Sequence, residues 1–167
     1  MSIGTDPARD TPRGTARRGR GTVVVSSLAS DAHTWNLVYL QLLIEECGYE
    51  VVNLGPCVPD ELLVAECAAL RPEMVVISSV NGHGHQDGLR AIRALRAHGP
   101  LVRTPVVIGG KLGTEGPEGA GRVRELTDAG FDAVFEDGQD PITAFRGFLS
   151  TVARAELTAP GPLRIGA

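Results

Sequence analysis

The sequence predicts a doubly wound α/β domain built on a five-stranded parallel sheet. Short runs rich in Val and Ile alternate with longer amphipathic segments, and the connections between them are short. Aromatic residues make up only 4% of a chain that is 43% hydrophobic. The core must therefore be built from Val, Leu, Ile and Ala, which is the composition of parallel strands buried on both faces. A chain of 167 residues has room for one such domain with a sizeable core.

The elements follow in order. "TVVVSSL" (22–28) is an apolar, β-branched strand, and "HTWNLVYLQLLIEECG" (33–48) a helix closed by Gly48. "EVVNLG" (50–55) is the second strand. "PDELLVAECAAL" (59–70) is a helix whose Pro59 and Asp60 suit a first turn, the one lacking an N–H that the first turn does not use and the other facing the positive end of the dipole. "MVVISSV" (74–80) is the third strand, and "QDGLRAIRALRAHG" (86–99) a helix with Leu89, Ile92 and Leu95 on one face. "PVVIGG" (105–110), "EGAGRVRELTDAG" (118–130), "AVFED" (133–137) and "PITAFRGFLSTVARA" (141–155) complete the pattern. Five strand–helix units with right-handed crossovers favour the flavodoxin-like strand order 2-1-3-4-5.

Outside this core, residues 1–20 are rich in Gly, Pro, Thr and Arg without periodicity and read as a disordered leader. The domain proper spans 21–155, and 156–167 is expected to be a flexible tail. Net charge is −4, but the first twenty residues carry five Arg against two Asp, which leaves the remainder at −7. A basic groove for nucleic acid is not expected there. No run approaches the ~18 apolar residues of a membrane span, and no apolar stretch follows the leader's arginines as in a secretory signal. Cys47, Cys57 and Cys67 are odd in number and lack a C-x-x-C spacing, so reduced, buried thiols in a cytoplasmic protein are expected.

In the 2-1-3-4-5 order, ligands bind beyond the carboxyl ends of the strands, where the connections from strands 1 and 3 diverge. The segments there are "SDAHTWN" (30–36), "SSVNGHGHQDG" (78–88) and "GGKLGTEG" (109–116). A phosphoacceptor site would need a carboxylate at the end of the third strand, where Ser78, Ser79 and Val80 stand. A flavin site would need a glycine- and hydroxyl-rich loop after the first strand, and a dinucleotide site a G-x-G-x-x-G, which is absent. Asp31 and His33 suggest a third chemistry. A neutral imidazole can ligate a metal while its other nitrogen donates to a carboxylate that sets the tautomer. One histidine cannot make a protein-only zinc site, but it suffices for a metal that arrives with its own equatorial ligands, as in a corrinoid. Asp31 taken alone also reads as a helix N-cap.

"D31-A-H33", "S78-S-V-N-G-H-G" and "G109-G", each at a strand end and in this order, resemble the cobalamin-binding signature D-x-H-x-x-G … S-x-L … G-G. The resemblance is closest to the small subunits of glutamate mutases (methylaspartate mutases). It covers most of residues 21–150, including "VVNLG" and the "VPDEL" that follows it. It implies adenosylcobalamin bound base-off, with His33 as the lower axial ligand to cobalt and Asp31 behind it. Ser30, Ala32 and Thr34 belong to the same loop. Ser78, Ser79 and Val80 would line a pocket for the detached nucleotide tail. Gly109 and Gly110 would let backbone and tail approach, followed by Lys111, Leu112 and Gly113.

Lys111, the one lysine of the chain, either pairs with the nucleotide phosphate or is a solvated charge. His83 and His85 read as a loop facing the corrin or a partner rather than as a second metal site. Two positions depart from the signature. Val80 replaces its leucine, a mild apolar exchange. Asn36 replaces its glycine, putting a larger polar group where it either adds a hydrogen bond or narrows the slot.

The implied reaction is the radical interconversion of (S)-glutamate and (2S,3S)-3-methylaspartate, an isomerase activity shared with a large TIM-barrel subunit that binds substrate. No arginine cluster at the strand ends offers to clamp two carboxylates in this chain. Three other readings stay open: a non-catalytic cobalamin carrier, a sensor module, and a relative that has lost the cofactor. A methyl carrier would bring a helical domain ahead of the motif.

Overall fold

The computed structural model describes residues 19–113, 119–136 and 140–158. Among them five strands, β1 (Thr22–Ser27), β2 (Glu50–Asn53), β3 (Met74–Ser79), β4 (Val106–Gly110) and β5 (Ala133–Glu136), alternate with five helices. These are α1 (Trp35–Glu46), α2 (Asp60–Leu70), α3 (Gly84–Ala97), α4 (Gly119–Ala129) and α5 (Pro141–Thr158). A 3-10 turn at Gly99–Leu101 links α3 to β4. Every pairing is parallel and the order is β2-β1-β3-β4-β5, so the expected doubly wound sheet is the one that forms.

Because side chains alternate along a strand, each central strand feeds two cores. Val24, Val75, Ile77, Val106 and Ile108 meet Leu63, Ile92, Leu95 and Leu126 from α2, α3 and α4. Val23, Val25, Met74, Val76 and Val107 meet Leu37, Leu43, Ile44, Phe145 and Leu149 from α1 and α5. The continuous Val/Ile runs are thus buried on both faces. No helix among the described residues is long and apolar enough to cross a membrane.

Element ends follow local chemistry. Gly48, at φ 93°, adopts the left-handed conformation just past α1, as expected of a closing glycine. Pro59 caps α2, with Asp60 and Glu61 in its first turn. The helix expected from Gln86 starts two residues earlier, at Gly84, so His85 stands in the first turn of α3 and not in a loop. A Cβ on Gly84 would lie 2.8 Å from Ser79 Cβ and 2.9 Å from Leu112 Cδ2, so only glycine lets this turn sit on the end of β3. The glycine-rich stretch that reads as a loop is what permits the close packing.

The cysteines are free, as expected, but only Cys67 is buried; Cys47 is half-buried and Cys57 exposed. Cys57 sits in a connection after β2 at φ 52°, outside either core. Residues 1–18 of the expected leader and 159–167 of the expected tail lie outside the described residues, and α5 itself continues to Thr158.

Candidate functional site

The loop between β1 and α1 is folded around one buried carboxylate. Asp31 is 1% exposed, and its N–H donates to Leu28 O at 3.0 Å. Its carbonyl accepts from Cys57 N–H at 2.8 Å, which ties the loop to the connection after β2, and Ser27 Oγ lies 3.0 Å from the same oxygen. Oδ1 accepts from His33 N–H at 3.0 Å and meets His33 Nδ1 at 2.7 Å. Oδ2 accepts from Val80 N–H at 2.6 Å, just past the end of β3. Asp31 therefore joins the β1 and β3 ends where their connections part. It is not the helix cap that its position alone suggests: Thr34 occupies that place and makes no side-chain cap bond.

Burial by itself would raise the Asp31 pKa. The N–H groups of His33 and Val80, then the His33 imidazole, more than offset that and hold it below its usual 3.8. An ionised carboxylate can only accept, so the hydrogen between Asp31 and His33 sits on Nδ1. In the neutral ring the lone pair is then on the remaining nitrogen, Nε2, and the side chain is 52% exposed. This is the arrangement that readies a histidine to bind a metal.

Next to His33 along the chain, Trp35 and Asn36 open a slot of about 520 Å³ between α1 and α5, over the carboxyl ends of β3, β4 and β5. Its walls are mainly apolar: Tyr39 and Leu40 from α1, Val76 from β3, Val107 from β4, Phe135 from β5, and Ile142 and Phe145 from α5. Phe135 holds its place through edge-to-face contacts with Phe145 and Phe148 at centroid distances of 5.5 and 5.9 Å. The polar feature is a pair, in which Asn36 Nδ2 donates to Ser78 Oγ while Asn36 Oδ1 is buried without a partner.

Of the residues singled out in the sequence, Ser78, Val80, Gly109 and Gly110 line the slot, and Asp31, which holds His33, is tied to that lining through Val80 N–H. Ser79 does not reach it. Strand alternation turns its side chain to the opposite face, under Gly84 and Leu112. Leu112 is fully buried in that other core, and its carbonyl accepts from His85 N–H at 2.8 Å. The glycines also differ. A Cβ on Gly110, at φ 106°, would fall 2.1 Å from Ser79 O, so this glycine is demanded by the backbone itself. A Cβ on Gly109 would press on Phe135 O at 3.2 Å, at the slot's edge.

Ala32, Thr34 and Lys111 are exposed, and Lys111 is not part of the slot lining. Ser30 Oγ donates to Asp87, and Asn81 Nδ2 donates to Ser30 O at 2.9 Å, a second tie between the first and third loops. Gly113 packs against Arg122. His83 is exposed and His85 Nε2 lies 2.8 Å from Glu125, and among the described residues no three His, Cys, Asp or Glu side chains gather to hold an ion.

The apolar slot walls escape sequence reading because a Leu, Phe or Tyr facing a cavity has the same periodicity as one facing a core. One signal was available: α1 is apolar on every side. Leu37, Leu43 and Ile44 are buried, while Trp35, Val38, Tyr39 and Leu42 are 72%, 52%, 43% and 56% exposed.

A parallel α/β sheet that presents a single carboxylate-backed histidine at its carboxyl edge, beside an open apolar slot, defines a cofactor-binding module. The comparison with known families specifies it: the B12 binding domain model matches residues 21–146, and the chain belongs to that family. The glutamate mutase sigma subunit 2 of Haloarcula marismortui is 31% identical over 83% of this chain and 94% of its own length. The glutamate mutase sigma subunit of Fusobacterium nucleatum is 25% identical over 70% of this chain and 85% of its own length. Among solved structures, a cobalamin-binding protein from Desulfitobacterium hafniense superposes with a TM-score of 0.62 at 22% identity, over 78% of this chain and 58% of that one, which shows the shared fold.

Proposed function

We propose that this cobalamin-binding subunit serves an adenosylcobalamin-dependent glutamate mutase that interconverts (S)-glutamate and (2S,3S)-3-methylaspartate. A separate TIM-barrel subunit would hold the substrate. The observation that carries the reading is the Asp31–His33 pair, with Nδ1 held at 2.7 Å and Nε2 left with its lone pair. A single nitrogen donor with no second protein ligand gathered beside it among the described residues fits a metal already bound in a macrocycle. The slot suits a detached nucleotide tail, because it holds about 520 Å³, is mainly apolar, and has one polar pair at its wall. The relatives named as glutamate mutase sigma subunits support the choice of reaction.

In this role each residue has a defined task. His33 Nε2 would ligate cobalt. Asp31 sets the tautomer and, through Val80 N–H, holds the loop against the end of β3. Ser30, Ala32 and Thr34 give the loop its path. Ser78 and Gly109 border the slot, and Gly110 turns the chain away over Ser79 so that Lys111, Leu112 and Gly113 leave it open. When bound, adenosylcobalamin supplies a carbon radical by homolysis of its cobalt–carbon bond, chemistry that no side chain of this protein can provide.

The test is an absorption titration with cobalamin, together with EPR of the Co(II) form bound to ¹⁵N-labelled protein. Hyperfine coupling to a protein ¹⁵N is expected. His33→Gly should abolish it and leave the circular dichroism unchanged, since the ring is half exposed and lies outside both cores. An unaltered coupling in that variant would exclude His33 as the ligand. Glutamate turnover is expected only after the large mutase subunit is added.

A further inference from the structure

The cofactor site accounts for the inner side of α1 but not for its outer side. Trp35, Val38, Tyr39 and Leu42 recur at i, i+3, i+4 and i+7, so they form one stripe along the helix, and all four are exposed. Trp35 and Tyr39 also touch the slot. Val38 and Leu42 do not line it, and they are turned away from Leu37 and Ile44, which pack on the sheet. Single exposed apolar residues need no explanation. Four on one helix face make a patch of roughly 400 Å², the size of an interaction surface.

Two features of the same helix say what covers it. Both carboxylates of α1, Glu45 and Glu46, stand in its last turn, at the negative end of the helix dipole, and its first turn has none. Thr34, at the N-cap, makes no side-chain bond, so the positive end is left without an anion. Glu45 accepts from Gln41 Nε2 at 2.9 Å and Glu46 meets Arg146 at 3.6 Å, and both carboxylates stay exposed. A second α1 laid antiparallel on the first complements both ends at once. Trp35 of each copy then meets Leu42 of the other, the two Val38 side chains face across the two-fold axis, and each Glu46 reaches the other copy's uncapped N-terminus.

We propose that the outer face of α1 binds a second copy of this chain as an antiparallel, two-fold α1–α1 pair. One self-complementary patch is what a two-fold contact requires. Two such faces with their rims bury about 1,000 Å², the lower bound for a specific contact, so the association is weak and reversible. Other occupants fit less well. A large mutase subunit must close over the carboxyl edge of the sheet, whereas the stripe runs about 10 Å down the flank away from it, at 1.5 Å per residue. The first twenty residues carry five arginines and, apart from prolines and alanines, only Met1 and Ile3 as apolar side chains to lay on it. The inference does not depend on the corrinoid reading, and the pair leaves the two His33 edges at opposite ends of the contact.

Sedimentation equilibrium of the full chain, over about 5–500 µM, brackets the affinity expected of so small an interface. The mass should rise with concentration from the 17.6 kDa of one chain toward twice that value. Trp35 is the one tryptophan, so its emission should move to the blue over the same range. Val38→Glu and Leu42→Glu each place a charge on an exposed position outside both cores. Both should keep the single-chain mass and the unshifted emission, with circular dichroism unchanged. Glu46→Gln should weaken the pair about threefold at low salt; equal or tighter association overturns the antiparallel arrangement. A single-chain mass throughout overturns the proposal. A dimer that survives both glutamate variants, or forms without moving the Trp35 emission, overturns it too, because the contact then lies elsewhere. If the chain stays single and Leu42→Glu instead blocks assembly with the large mutase subunit, the face belongs to that subunit and the proposal falls.

Discussion

The two faces of the sheet use the same strands and end differently. On the face covered by α2, α3 and α4 the packing runs to the carboxyl edge, where Ser79 lies under Gly84 and Leu112 is fully buried. On the face covered by α1 and α5 the packing stops short, and the slot of about 520 Å³ takes its place. Two neighbouring serines are divided between these fates: Ser78 faces the slot and Ser79 the sealed side. Gly109 and Gly110 both border the slot, and Gly110 also makes room for the Ser79 carbonyl. The lesson is that a cofactor slot in this fold needs no special element. It arises where small side chains are placed at strand ends on one face, while their alternates seal the other.

The strongest way to break the contrast is Gly110→Ala. Its Cβ would meet a backbone oxygen at 2.1 Å from a left-handed conformation, so roughly 3–5 kcal/mol of stability should be lost in urea unfolding. The sealed and open faces should next differ in their response to truncation. Ile92→Ala, at 0% exposure, should cost about 3 kcal/mol, whereas Tyr39→Ala on the slot wall, at 43% exposure, should cost less than about 1 kcal/mol. Equal losses would mean that the slot wall carries core packing.

A smaller effect probes the tie that Asp31 makes across the strand ends. Its pKa is lowered in the folded state, so its contribution is present above the unfolded value of 3.8 and lost as pH falls through the lower folded one. The stability difference between the unaltered chain and Asp31→Asn should be flat from about pH 7 to 5 and shrink below 3.8. A difference that already changes near neutral pH would point to another group. The mildest contrast is among thiols. Burial, aided by Glu66, pushes the Cys67 thiol up to about 12, while Cys57 is exposed. Maleimide should modify Cys57 first and reach Cys67 only on unfolding; early labelling of Cys67 would show that the sealed face opens.

Much of this was legible beforehand. Val/Ile runs and short connections sufficed for five parallel strands in the order that forms. Asp31 and His33 stood out as a carboxylate–histidine pair at a strand end, and Ser78 and the paired glycines through their resemblance to the cobalamin-binding signature. Less was legible where one residue type serves two surroundings. Ser79 and Leu112 resemble site residues by position but lie in the sealed face, while Tyr39 walls the slot and Phe135, Ile142 and Phe145 both pack with the core and wall the slot.

By itself, then, the sequence determined the layers, the strand order and the histidine–carboxylate pair, because these follow from periodicity and from residues adjacent along the chain. Only the tertiary structure decided which alternate of each strand end meets open space, that Asp31 reaches across to Val80, and that Asn36 is paired on one side and left unsatisfied on the other. Those outcomes depend on distances between residues far apart in the chain, 42 positions for Asn36 and Ser78, and no local pattern encodes them.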